Sequence, residues 1–402
     1  MDEQLLARRA KRLAAVFPKA HFPSELASHV IAFDSGFAAP ELLPDLLPFA
    51  ARALSTHRQE SLQYCASQGQ PDLREWIAGH MRADGSRVTA DNLMIVSGAK
   101  QGLDLLCRLL IDEGDAIVVT APTYFTAIPI FRSFGVEFVE APQDEQGLQV
   151  KTLEALLRAR RALGKPAPKF IYNVADFHNP SGATMPEGRR RQLIEVAREH
   201  GTLIIEDSPY RRVRFAGAAV PTLKALDTAE SVIHVGTFSK LIAPGLRIGW
   251  IAAASDVIAR LIQLKSDGGT SPLLQRIVCD FCRSPLFEEH SSRVRTHYGQ
   301  KRDRMVAAVR RELPGVELLI PEGGYYVWLT LPTGMDGDEF AQRAAALGVN
   351  LIPGSRFFAN TDPGREPPLP RNHVRLSYSF ASLAQIDEGV RRLADVHRSL
   401  AT

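Results

Sequence analysis

The sequence predicts an α/β fold: a large domain on a mostly parallel sheet with helices on both faces, then a smaller α+β domain. Three observations predict it. From about residue 93, short β-branched runs alternate with helical segments, the pattern of strands buried between helices. After about residue 285 this alternation gives way to one long charged helix followed by mixed strands and helices. With 402 residues, 45% of them apolar, the chain is large enough to divide its core in two.

In chain order, residues 1–47 read as an amphipathic helix and an extended arm, because Pro18, Pro23, Pro40 and Pro44, with Pro48 just beyond, break any long helix. Residues 48–285 form the large domain. It opens on the helix "QPDLREWIAGHMRADG", with an acidic first turn and a glycine stop. Its strands are "LMIVSG", "AIVVTAP", "KFIYNVADF", "TLIIEDS", "SVIHVGTF" and "IGWIAAA". Residues 286–402 form the small domain. The long helix leads to "VELLIPEGGYYVWLTLP", a helix near 337–347, the strands "VNLIPG" and "HVRLSYS", and a last helix from about 382. The segment "ANTDPGREPPLPRN" reads as a surface loop.

Composition excludes several functions. The net charge is +3, and the densest basic cluster, Arg189 to Arg191, reads as a solvated helix face, so no nucleic-acid partner is expected. Cys279 and Cys282 form a CxxC pair with no second pair to complete a zinc site, and their helical surroundings suggest buried, inert thiols. The N-terminus lacks a signal-peptide pattern and no apolar run reaches membrane-spanning length, so a cytoplasmic enzyme is expected.

The chemistry lies at strand ends, where open parallel sheets place ligand sites. In "GTFSKLIAPGLRIGW" Lys240 follows a strand and precedes a Pro-Gly turn, which aims its amine into a cleft. Desolvation or a neighbouring cation lets such an amine condense with an aldehyde. Thr237 and Ser239 add hydroxyls, and Arg247 adds a fork suited to phosphate. "SGAKQGLDLL" follows another strand and opens a helix, so Gly98, Ala99 and Lys100 present the N–H groups of a phosphate site. It matches neither a Walker A loop nor GxGxxG, which excludes ATP and dinucleotides.

At these motifs the chain resembles the pyridoxal 5′-phosphate (PLP)-dependent aminotransferases of fold type I. It is most similar to the class I/II branch containing 2-aminoadipate and aromatic-amino-acid aminotransferases, from about residue 12 to the C-terminus. The resemblance implies PLP held by Lys240 as a Schiff base, with Asp207 of "EDSPY" on the ring nitrogen and Tyr210 on O3′. It gives Asn179 of "FHNPSG" contacts to O3′ and to the substrate carboxylate, and stacks Tyr124 of "APTYF" on the ring. Arg375 of "HVRLSYS" forks onto the α-carboxylate, and Gly36 of the arm lies close to bound substrate. Tyr64 of "LQYCASQG" reaches the phosphate of a second subunit, which implies a homodimer with shared active sites. Departures from the family pattern fall at Ala38, Ala99, Lys100, His178 and Pro209. Lys19 is the nearest counterpart of an arm arginine that recognises a distal carboxylate, and Tyr325 and Tyr326 fall at the site entrance or in strand packing.

The implied reaction moves an amino group from an L-amino acid to a 2-oxo acid such as 2-oxoglutarate, with ping-pong kinetics. The same fold also hosts decarboxylation, elimination and oxygen-dependent hydroxylation, and non-catalytic PLP-binding regulators. Arg375 disfavours decarboxylation, and a match starting near residue 12 leaves no room for an N-terminal DNA-binding unit.

Overall fold

The computed structural model describes residues 3–12, 30–362, 364 and 368–401. Fourteen strands are found among them. β1 is Ile31–Ala32, β2 Leu93–Val96, β3 Ala116–Ala121, β4 Glu137–Asp144, β5 Gly147–Leu148, β6 Phe170–Asn173 and β7 Leu203–Asp207. β8 is Val232–Thr237, β9 Gly249–Ala252, β10 Glu317–Leu318, β11 Tyr326–Thr330, β12 Val349–Asn350, β13 Ile352–Pro353 and β14 His373–Ser377.

Eight strands form the large sheet in the order β2-β9-β8-β7-β6-β3-β4-β5. The central run from β8 to β4 is parallel, while β9 lies antiparallel to both β8 and β2. Helices bury both faces, and the strands alternate their apolar residues between them. Ile117 and Val119 of β3 pack with Leu103 and Leu106 of the helix Ala99–Leu110, while Val118 packs with Leu153 and Leu193 from the helices Val150–Ala162 and Glu187–Glu199. Each fully buried side chain of this size contributes about 1.5–3 kcal/mol, so the two faces hold the strand ends rigidly.

The long helix Leu286–Glu312 opens the second unit, an antiparallel sheet in the order β10-β11-β14-β13. The arm is laid along this unit rather than hanging free. β1 pairs in parallel with β12, Phe33 O accepts from Ser377 N at 2.7 Å, and Phe37 O accepts from Ser379 Oγ at 2.7 Å. Ala39 N donates to Tyr298 Oη at 3.0 Å.

The structure departs from expectation in several places. Near the N-terminus Arg8–Lys11 is α-helical among the described residues, and residues 13–29, with Lys19, lie outside them. Part of the loop 359–372 does too. β4 was not among the expected strands: its charges and Pro142 mask the pattern, and its position near the sheet edge tolerates them. "VNLIPG" is two strands, because Val349–Asn350 pairs with the arm while Ile352–Pro353 pairs with β14. The Arg189–Arg191 cluster is not wholly solvated: Arg190 is 0% exposed and bonded to Asp176 at 2.6 Å. A helix turns about 100° per residue, so the middle of three successive arginines can face the core. Cys279 and Cys282 are buried thiols on the helix Pro272–Arg283, and burial raises the Cys279 thiol to about 11.

Candidate active site

The sheet domain delivers four side chains to one place from positions at or beyond the ends of three strands. Asp207 ends β7, Tyr210 lies three residues on, Lys240 follows β8, and Asn179 follows β6. The small domain and the arm deliver Arg375 and Gly36 from the opposite side.

Lys240 Nζ donates to Gly36 O at 2.9 Å. Burial, then the positive charges of Arg375 and Arg247, lower its pKa, against an opposing pull from Tyr326 and Asp207. A lowered pKa raises the fraction of free amine, the form that attacks a carbonyl. Tyr325 Oη donates to the Lys240 carbonyl at 2.6 Å and fixes the backbone beneath it.

Asp207 is buried, and burial raises its pKa to about 6 despite a hydrogen bond from Tyr172 Oη to Oδ2 at 2.7 Å. Its other oxygen, Oδ1, is buried without a partner. A carboxylate in this state is matched by a cationic N–H donor, which would both satisfy Oδ1 and stabilise the charge.

Arg375 is 1% exposed. Its Nη1 donates to Asn179 Oδ1 at 3.1 Å and its Nη2 to Asp34 O, while Nε and Asn179 Nδ2 are buried without partners. The guanidinium lies 4.0 Å from the ring centroid of Tyr326, with Phe357 at 5.2 Å and Phe125 at 5.4 Å. This aromatic surround keeps water from the charge.

The phosphate-type cradle also forms. Gly98 caps the helix Ala99–Leu110 with φ +81°, and a side chain there would overlap the guanidinium of Arg247. Arg247 takes a left-handed φ of 53° and donates from Nη2 to Ser97 O at 3.0 Å. Thr237 Oγ1 and Ser239 Oγ are 2.9 Å apart beside Lys240. Lys100 is accessible to solvent, and partial burial of its amine, then the charges of Arg247 and Lys240, lower its pKa. Tyr124 senses both Asp207 and Tyr326, and burial raises its hydroxyl.

Tyr64 stands apart. It is 85% exposed, beside Gly268 on the surface, and the polar contacts of the cluster do not include it among the described residues. His178 is buried: Nε2 lies 3.1 Å from Thr120 Oγ1, Nδ1 lies 3.0 Å from Ser181 Oγ, and burial lowers its pKa to about 3.

Two tyrosines read as entrance or packing residues prove to be interior. Tyr325 supports Lys240, and Tyr326 sits within the cluster, where a methyl group on Gly36 would overlap its hydroxyl. Sequence reasoning missed Tyr172 altogether. Its signal is positional: β6 neighbours β7 in parallel, with Tyr172 opposite Ile205, so Tyr172 reaches Asp207 across the strands.

A lysine amine with a lowered pKa, a buried carboxylate with one free oxygen, a glycine-lined helix N-terminus facing a guanidinium, and a buried arginine with its Nε free together fit PLP and an amino acid. The fold and this cluster define a PLP-dependent aminotransferase of fold type I. The chain belongs to the class I and II aminotransferase family, whose model matches residues 28–393. It is 37% identical over 377 residues to aromatic-amino-acid aminotransferase 1 of Thermococcus litoralis, covering 92% of this chain and 88% of that one. A solved multiple substrate aminotransferase of Thermococcus profundus superposes with a TM-score of 0.89 at 36% identity, covering 99% and 98% of the two chains. The α-aminoadipate aminotransferase LysN of Thermus thermophilus, solved with N-(5′-phosphopyridoxyl)-L-leucine, gives 0.87 at 32% identity, again covering 99% and 98%. Among the described residues no helix is long and apolar enough to cross a membrane.

Proposed function

We propose that the chain moves the amino group of an L-amino acid to a 2-oxo acid, with 2-oxoglutarate as acceptor, in ping-pong order. The observation that carries this reading is the pair formed by Lys240 and Arg375. Both lie against the arm around Gly36, one a lysine amine with a lowered pKa and the other a buried guanidinium with its Nε free. Arg375, with Asn179, holds the α-carboxylate of each substrate in turn and so fixes Cα beside Lys240.

Bound PLP supplies an aldehyde for the amino groups and a ring that withdraws electrons from the substrate Cα. Asp207 would hold the ring nitrogen through its free Oδ1. Tyr210 and Asn179 would face O3′, and Tyr124 would cover the ring. The amides of Gly98, Ala99 and Lys100, with Thr237, Ser239 and Arg247, would hold the phosphate. The Lys240 amine would take the proton from the substrate Cα as general base and, as its ammonium, give it up to the cofactor's aldehyde carbon as general acid. The ring surround of Arg375, namely Tyr326, Phe125 and Phe357, favours a donor with a large apolar or aromatic side chain. Exposed Tyr64 suits a two-fold dimer in which it reaches the phosphate site of a second copy.

The test is to add a panel of amino acids to the PLP-loaded protein and follow both cofactor absorbance and 2-oxo acid formation. Conversion by aromatic and long apolar amino acids, reversed by 2-oxoglutarate, is the expected result. Release of carbon dioxide or ammonia, or uptake of oxygen, without a new amino acid would overturn it.

A further inference from the structure

The hydroxyl of Tyr326 has no place in the roles assigned above, yet it lies at their junction. Tyr210 Oη donates to it at 3.3 Å, and the two rings meet edge to face with centroids 5.9 Å apart. The face of the Tyr326 ring carries the Arg375 guanidinium at 4.0 Å. On its remaining side the hydroxyl abuts Gly36, where only the lack of a side chain leaves room, and Lys240 Nζ would lie 3.5 Å from a methyl placed there. One side chain therefore touches the tyrosine assigned to O3′, the arginine assigned to the carboxylate, and the arm residue that accepts from the lysine.

We infer that Tyr326 is a positioning residue that couples the two halves of the site: its ring seats Arg375 and its hydroxyl takes a share of the Tyr210 proton. This rests on the assignment of Tyr210 to O3′ in the proposed function. Two hydroxyls 3.3 Å apart can share only one hydrogen bond, so a proton that Tyr210 gives to Tyr326 is less available to O3′. When a carboxylate engages Arg375, the positive charge behind the Tyr326 ring is offset. Tyr326 then becomes a weaker acid and a better acceptor, and the sharing shifts toward it. Substrate binding on the small-domain side thus reaches the cofactor side through one buried side chain.

The surroundings support this polarity. Lys240, Arg375 and Lys100 face Tyr326 as cations, Asp34 faces it from the arm, and Tyr210 and Tyr124 face it from the sheet domain. Burial would raise the Tyr326 hydroxyl, but Arg375, Lys240 and the bond from Tyr210 outweigh burial and lower it, while burial and Tyr326 raise Tyr210. The direction of the bond rests on its geometry, with Tyr210 Oη as donor and Tyr326 Oη as acceptor.

The test is the pH at which the absorbance of the PLP-loaded protein changes, measured with wild type, Tyr326→Phe, Tyr326→Leu and Tyr210→Phe. Tyr326→Phe returns the whole Tyr210 proton to O3′, which favours the deprotonated chromophore, so the midpoint should fall by about one pH unit. The ring is kept, so the Kd of a non-reactive carboxylate analogue of the substrate should stay within about twofold of wild type. Tyr326→Leu removes the ring as well and should weaken that Kd about tenfold. Tyr210→Phe should raise the midpoint. If Tyr210→Phe leaves the midpoint unmoved, the assignment of Tyr210 to O3′ fails. If Tyr210→Phe moves it and Tyr326→Phe does not, the coupling through Tyr326 fails while the assignment stands.

Discussion

Tyr172 donates to one oxygen of Asp207 at 2.7 Å, and the other oxygen of the same buried carboxylate has no partner. The tyrosine holds the carboxylate in plane and lowers its proton affinity, while burial acts more strongly the other way. Tyr172→Phe should therefore raise the Asp207 pKa further and leave less carboxylate at neutral pH. A hydrogen bond to a charged group contributes about 1.5–3 kcal/mol, so PLP affinity should fall about tenfold or more. Absorbance titration of the cofactor-free variant with PLP measures this directly.

The raised pKa of Asp207 makes a stability prediction of unusual sign. Its folded value is about 6, above the ordinary 3.8. Below 3.8 the group is protonated whether the chain is folded or not, and no penalty applies. As pH rises from 3.8 to 6 the unfolded chain loses its proton first, so the cofactor-free protein loses stability, by roughly 3 kcal/mol in all. Asp207→Asn should then raise the Tm of the cofactor-free protein by a few degrees at pH 7.5 and leave it unchanged at pH 3.5. The same variant should lose most of its affinity for PLP. Calorimetry at the two pH values checks the first statement, and titration with PLP the second.

Arg375 makes its contacts through a planar fork, with Asn179 on one arm and the Asp34 carbonyl on the other. Lysine keeps the charge but cannot span both. Arg375→Lys should raise KM for the amino acid by about 10–100-fold, with a smaller effect on kcat. Steady-state kinetics on both half-reactions should show the same factor for donor and acceptor, since both present an α-carboxylate.

Gly36 and Tyr326 should be energetically coupled. Gly36→Ala forces its methyl against the Tyr326 hydroxyl and disturbs the carbonyl that accepts from Lys240. A fall in kcat/KM of about tenfold or more is expected. In a Tyr326→Phe background the closest clash is gone, and the next atom, Cζ, lies 3.1 Å away. The same substitution should then cost much less, a non-additivity that a double-mutant cycle reads out.

His178 should contribute no limb to the pH profile. Burial lowers its pKa to about 3, so it is neutral across the working range and serves Thr120 and Ser181 as a hydrogen-bonding strut. His178→Gln keeps an amide donor and acceptor there. Its pH–rate profile between pH 5 and 9 should overlay that of the wild type, with kcat within about threefold.

Much of this site was legible in the sequence because its parts sit at strand ends. Asp207 closes a short apolar run, Lys240 and Asn179 follow others within a few residues, and Gly98 opens a helix directly after one. Parallel strands of similar length bring such ends together without further information. Tyr326, Phe125 and Phe357 were not legible, since they matter only where the small domain and the arm meet the sheet. Apolar periodicity cannot distinguish a ring that packs against a core from one that packs against a guanidinium. Arg190 failed for a simpler reason: composition sees three arginines in a row, whereas the helix sends one of them inward to Asp176.

The short pairing of Ile31 with Val349 and Ala32 with Asn350 has a consequence for how the protein is made. The arm leaves the ribosome long before its partner strand and Arg375. Until then the Asp34 carbonyl lacks the Arg375 guanidinium that donates to it, so the amino-acid pocket matures after the sheet domain. A nascent chain halted before residue 349 could carry a finished sheet and cradle and still be unable to grip a substrate.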